Sequence, residues 1–183
     1  YVVCDRKKKL SALCSVLCRS NAASTIVFVH ESRSVEDISK VVEDGVNRMK
    51  EKKKLEGGNE ENWRALKIVG LSEEISGSER KRNLEMFRDG SVQVLVTNEL
   101  ATRGLDIPEL SRVIHLDLPK DSESYLHRSG RAGRLNRAGI VISICDPKEL
   151  FVIDRFSNSL KVQFNQASMK SLSQKSYTKA ETH

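Results

Sequence analysis

The sequence predicts an α/β fold, a mostly parallel central sheet with helices on both faces. Three observations predict it. Apolar runs of strand length alternate with amphipathic segments of helical period over most of the chain, the pattern of strands joined by crossover helices. The runs Thr25 to His30, Val92 to Thr97 and Ile140 to Cys145 are apolar almost throughout, as strands covered on both faces are. Finally, 183 residues with 38% hydrophobic content suffice for one ordinary domain with a buried core.

From the amino terminus, Tyr1 to Asp5 reads as a strand continuing something longer, so the sequence reads as an excised piece of a larger protein. Lys8 to Arg19 is predicted to be an amphipathic helix, with Leu10, Leu13 and Leu17 sharing a face with Cys14 and Cys18. Thr25 to His30 follows as a buried strand. Ser34 starts a helix that sets Val35, Ile38, Val41, Val42 and Met49 on one face. Leu66 to Gly70 is a short strand. Ser76-Gly77-Ser78-Glu79 reads as a capping box opening a helix through Leu84 and Phe87 to Gly90. Val92 to Thr97 and Arg112 to Leu116 are strands, Ser122 to Arg128 a helix, and Ile140 to Cys145 the last strand. Pro147, with its φ already set for a first helical turn, opens a final helix to about Ser157.

Two segments stand outside this alternation. Lys50 to Asn62 is charged and broken by Gly57-Gly58, which predicts a solvated loop or helix extension. Asn165 to His183 is rich in Ser, Lys and Thr and poor in apolar residues, which predicts a disordered tail.

The net charge of +6 favours an anionic partner without naming one. Aromatic residues make up only 5%, which disfavours base stacking on aromatic platforms and favours contacts to a nucleic-acid backbone. Cys4, Cys14, Cys18 and Cys145 lack the spacing of a metal site and read as reduced thiols of an intracellular, reducing compartment. No apolar stretch approaches the roughly 18–20 residues of a membrane span, so no membrane partner is expected.

The chemistry concentrates in two motifs. His127-Arg128-Ser129-Gly130-Arg131-Ala132-Gly133-Arg134 sets three arginines and two glycines in eight residues at the end of a predicted helix. Guanidinium groups stay charged at physiological pH and fork two hydrogen bonds to phosphate oxygens, while glycine lets the backbone come close. About 25 residues upstream, the strand ending at Thr97 runs into Asn98-Glu99 and then Arg103-Gly104-Leu105-Asp106, stopped by Pro108. Polar residues directly after a strand are where an α/β sheet places its ligands.

In this order and spacing the two motifs resemble motifs V and VI of the C-terminal RecA-like domain of the DEAD-box RNA helicases. The resemblance covers roughly residues 1–164 and implies a RecA-like three-layer fold. It implies that Arg131 and Arg134 are arginine fingers for the γ-phosphate of ATP, held with Mg²⁺ mainly by an N-terminal RecA-like domain outside this sequence. Gly104 and Asp106 would accommodate the nucleotide, Asp106 at the ribose, unless Asp106 merely caps the following turn. Arg103, His127 and Arg128 would couple the two motor domains, although a histidine ending a helix also serves as a local backbone partner. RNA contacts would map to His30, Arg33, Gly70, Arg80, Thr97 and Asn98. Such contacts reach phosphate and sugar and carry little sequence preference, on single strands or duplex. Arg80 alone also reads as a solvated helix arginine.

The sequence departs from the family pattern on the RNA side. His30 replaces a common asparagine, Gly77 a glutamine that usually pairs with Arg80, and Leu71 a polar residue; Asn98-Glu99 replaces Thr-Asp and Thr102 an alanine. Three readings follow: half of an ATP-dependent RNA helicase, an RNA clamp or docking platform for protein cofactors, or a DNA-directed superfamily 2 helicase domain. The resemblance favours the first. An upstream Gly-Lys-Thr phosphate loop and an Asp-Glu-Ala-Asp-like motif would separate it from the second.

Overall fold

The computed structural model describes residues 1–18, 24–56, 66–102, 105, 107, 110–133 and 139–168. Its elements in chain order are β1 (Val2–Val3), α1 (Lys9–Cys18), β2 (Thr25–Phe28), α2 (Val35–Leu55), β3 (Ile68–Leu71), α3 (Gly77–Arg88) and β4 (Val94–Thr97). A four-residue α4 (Glu99–Thr102), β5 (Arg112–His115), α5 (Ser122–Ser129), β6 (Ile140–Cys145) and α6 (Leu150–Leu160) complete the set. The strands form one six-stranded sheet in the order β1-β6-β5-β2-β4-β3, and every neighbouring pair is parallel. The α/β expectation of helices around a parallel sheet is met.

Successive strand residues point to opposite faces, and both faces are apolar. Val27, Val94, Val96 and Ile114 join the core beneath α1 and α2. Ile26, Phe28, Leu95 and Val113 join a second core with Phe87 of α3. On that second face, Tyr125 of α5 stacks edge-on against His115 at 4.8 Å and reaches Phe156 of α6 at 5.2 Å. Central strands buried on both sides account for the nearly continuous apolar runs in the sequence.

Helix starts follow their capping residues. The Ser34 hydroxyl accepts from the Asp37 amide, and Asp121 accepts from Ser124. The Ser76 hydroxyl accepts from the Glu79 amide without the reciprocal bond of a capping box. The full box lies instead at Asp146 and Glu149, around the turn Pro147–Glu149 that leads into α6. Its Glu149 also pairs with the buried Lys9 at 2.6 Å.

Several boundaries differ from expectation. Val41 is exposed and Val46 buried, because the inward stripe of α2 follows positions 35, 38, 42 and 46 rather than spreading to 41. The helix runs to Leu55, so the first part of the charged stretch is helix extension, and 57–62 lie outside the described residues. Asn165 and Ala167, expected in the tail, instead bond Tyr1 through backbone groups. Cys14 and Cys18 donate weakly to the Val42 and Val46 carbonyls across α1 and α2. Burial pushes the Cys14 thiol up to about 11 and the Cys145 thiol to about 12, which keeps both protonated. Among the described residues no helix is long and apolar enough to cross a membrane.

Candidate functional site

The chain runs from β2 outward to β3, returns through β4, and then passes β2 to form β5, so strand order reverses around β2. Ligands of open α/β sheets bind in the crevice at the carboxyl ends of such strands. Three loops converge there: His30 to Arg33 after β2, Asn98 and Glu99 after β4, and Leu116 and Asp117 after β5.

The arginine motif enters this edge through α5. Helical phase divides it: Ser124, Tyr125 and Arg128 face inward, whereas His127 faces solvent. Arg128 Nη2 donates to Glu99 Oε2 at 2.9 Å, with the two side chains 7% and 15% exposed. Its guanidinium also lies over the Phe28 ring, 4.9 Å from the centroid, and Nη1 reaches the Asp117 carbonyl at a long 3.5 Å. Arg128 thus fastens α5 to the start of α4, the segment that leads to Arg103. Behind it, His115 is fully buried, with Nδ1 against Ser143 and Nε2 without a hydrogen-bond partner among the described residues. Burial first, and the Arg128 charge second, hold its pKa down at about 3, so the imidazole is neutral.

Arg131 follows in the turn after α5, half-exposed, its Nη2 3.4 Å from His127 Nε2. The turn is anchored beyond it. Ala132 forms a parallel bridge with Leu110, and the Gly133 amide donates to the Leu110 carbonyl at 3.0 Å. Gly133 takes φ of 71°, a conformation that a side chain would strain. The turn is therefore fixed to the segment just past Pro108. Arg134, Arg103, Gly104 and Asp106 lie outside the described residues.

In the same group of loops, Arg33 pairs bidentately with Asp117, Nε to Oδ2 at 2.8 Å and Nη2 to Oδ1 at 3.1 Å. Asp117 Oδ2 also accepts from the His30 amide at 3.0 Å. The His30 ring is exposed and its Nδ1 accepts from the Ser32 amide. At Gly70 an added Cβ would stand 3.0 Å from Val35 and 3.2 Å from Ser39 Oγ, so packing against α2 accounts for the glycine. Its carbonyl accepts from Asn83. Arg80, half-exposed in the first turn of α3, makes no side-chain ion pair among the described residues. Thr97 is wholly buried, its hydroxyl donating to the Leu71 carbonyl, and the Asn98 side chain caps α4 by accepting from the Ala101 amide. Thr97 can thus offer an RNA backbone only main-chain groups.

Sequence reasoning did not single out Asp117, Phe28 or His115, and noted Glu99 only as a departure. Asp117 had a readable signal, a carboxylate directly after a strand; the burial of Arg128 against Glu99 had none.

A model of the family described as "Helicase conserved C-terminal domain" matches residues 8–136. The DEAD-box ATP-dependent RNA helicase CshC of Bacillus cereus is 29% identical over 169 residues, 92% of this chain but only 38% of that protein. This chain therefore spans well under half the length of that curated relative. The C-terminal domain of the DEAD-box protein Dbp5 is similar at 26% identity and a TM-score of 0.70, over 93% of this chain and 89% of that one. E. coli DEAD-box protein SrmB, in a structure bound to regulator of ribonuclease activity A (RraA), shares the fold with a TM-score of 0.75 at 24% identity, over 99% and 95% of the two chains.

Proposed function

Because this chain belongs to the helicase conserved C-terminal domain family, we propose that it is the second motor domain of a DEAD-box ATP-dependent RNA helicase, spanning residues 1–164. The observation that carries this reading is the anchored arginine turn: Arg131 stands half-exposed on a support fixed by the Arg128–Glu99 pair before it and the Leu110–Ala132 bridge after it. An arginine held this way needs no reordering when charge develops opposite it.

The turn offers guanidinium groups, a donor set that fits the phosphates of ATP. Mg²⁺ would be held mainly by the partner motor domain, and ATP bound there would supply the phosphoryl group for transfer. Arg131, with Arg134, stabilises the charge spread over that group's oxygens. His127 helps to hold the Arg131 fork while facing the partner domain. Arg103, Gly104 and Asp106 would line the nucleotide side. Arg128, being turned inward, couples the domains through the placement of α4 and α5.

RNA would run along the opposite rim, over His30, Arg33, the amino end of α3 with Arg80, and the main chain at Gly70, Thr97 and Asn98. Contacts of this kind hold phosphate and sugar. SrmB bound to RraA supports docking of protein cofactors on such a domain. The free cysteines suit a reducing intracellular compartment.

The test is ATP turnover. The 183-residue chain alone is expected to hydrolyse no ATP, because arginine fingers without a phosphate loop and metal-holding carboxylates have nothing to act on. Joining it to a domain that carries those parts should produce RNA-dependent turnover. Turnover by the chain alone that Arg131→Ala abolishes would contradict the assignment.

A further inference from the structure

Asp117 spends its whole carboxylate on one loop. One oxygen accepts from both Arg33 Nε and the His30 amide, and the other accepts from Arg33 Nη2. The His30–Arg33 turn is closed by its own backbone bond, Arg33 N–H to the His30 carbonyl at 3.0 Å. A single side chain at the end of β5 therefore sets both the backbone and the guanidinium plane of the loop that follows β2. The guanidinium is not used up. Arg33 Nη1 has no hydrogen-bond partner among the described residues, and the side chain stays 32% exposed against 16% for Asp117. The carboxylate grips the inner edge of the plane and leaves the outer edge toward solvent, the geometry in which arginine presents paired donors to a phosphate.

We propose that Asp117 is a positioning residue for RNA: it holds Arg33 so that the outer guanidinium edge meets a backbone phosphate. This rests on the reading of the His30–Arg33 loop as part of an RNA-binding rim. The alternative is that the pair only closes a surface loop. Coulomb's law separates the two, because removing a carboxylate from a surface that meets phosphates should by itself tighten binding. A positioning role predicts the opposite sign.

The experiment titrates a fluorescent oligouridylate with the 183-residue chain at several salt concentrations, for wild type, Asp117→Ala, Arg33→Ala and the double variant. The proposal predicts that Asp117→Ala weakens binding about tenfold, as loss of one charge-assisted phosphate contact does. It also predicts that the salt slope drops by about 0.7, as for Arg33→Ala. In the Arg33→Ala background the second change should add no further weakening. Asp117→Asn, which keeps the side-chain volume and an acceptor for the His30 amide, should weaken binding in the same direction with an unchanged melting temperature. Equal or tighter binding by Asp117→Ala and Asp117→Asn while Arg33→Ala weakens it overturns the proposal and leaves the RNA rim standing. Unchanged binding by Arg33→Ala and by Arg80→Ala overturns the RNA rim itself, and the proposal with it.

Discussion

Arg128 and Leu126 occupy each other's expected places on α5: the arginine is 6% exposed and the leucine 60%. Once buried, Arg128 needs Glu99, and its Nε still lacks a partner among the described residues. Removing one member of such a pair leaves a buried charge uncompensated, so Glu99→Ala should lower stability by about 3–5 kcal/mol in urea denaturation. Replacing both members by apolar residues should lose far less, and equal losses for single and double variants would contradict the pairing. Beside it, His115 imposes a pH dependence. The native imidazole titrates at about 3, whereas the unfolded one titrates near the ordinary histidine value of about 6.5. The unfolded state thus binds an extra proton between these values, and stability should fall as pH drops below 6.5, by up to about 1.4 kcal/mol per unit. Chemical denaturation at pH 7, 6 and 5 should show this slope flattened in His115→Asn; an unchanged slope would place the titration elsewhere. The sequence announced a basic cluster at 127–134, but helix phase and the ring of Phe28, set by distant strands, decided which arginine turns inward.

At the scale of elements, α1 and α2 pack so closely that a Cβ on Gly45 would lie 2.6 Å from Cys14 Sγ. Gly45→Ala should therefore destabilise by about 1–3 kcal/mol despite the higher helix propensity of alanine. In a Cys14→Ala background the obstructing sulfur is gone, and the same change should be neutral or stabilising by up to about 1 kcal/mol. Thermal melting of the four proteins checks this, and a loss that persists without the sulfur would contradict the close approach. The elements themselves were legible because period 2 and period 3.6 alternate cleanly: β2, β4, β5 and β6 fall within the apolar runs, and Ser34 and Ser76 begin their helices. Exposed Val41 and buried Val46 were assigned wrongly or passed over, because apolar character marks a stripe without fixing its width. Glycine 45 gave no signal, since a close helix crossing is a property of two elements and not of one.

Across the whole molecule, the switch in strand order around β2 brings three loops to one edge, to which the proposed function assigns both ATP and RNA contacts. Motif order alone pointed to the proposed nucleotide contacts of the Arg103 and Arg131 segments, because each motif is contiguous in sequence. The proposed RNA contacts were only partly legible: Arg33 meets Asp117 across 84 residues, and Thr97 and Asn98 turn their side chains into the fold. Such pairings come from sheet topology and leave no local trace. The central claim is that this domain gives Arg131 to ATP bound by a partner motor domain. The direct measurement is ATP turnover, at saturating RNA, by a protein carrying both motor domains, with Arg131 intact and as Arg131→Ala. Loss of an arginine finger predicts a fall of roughly 10³–10⁵ with an unchanged melting temperature; near-normal turnover by the variant would contradict the claim.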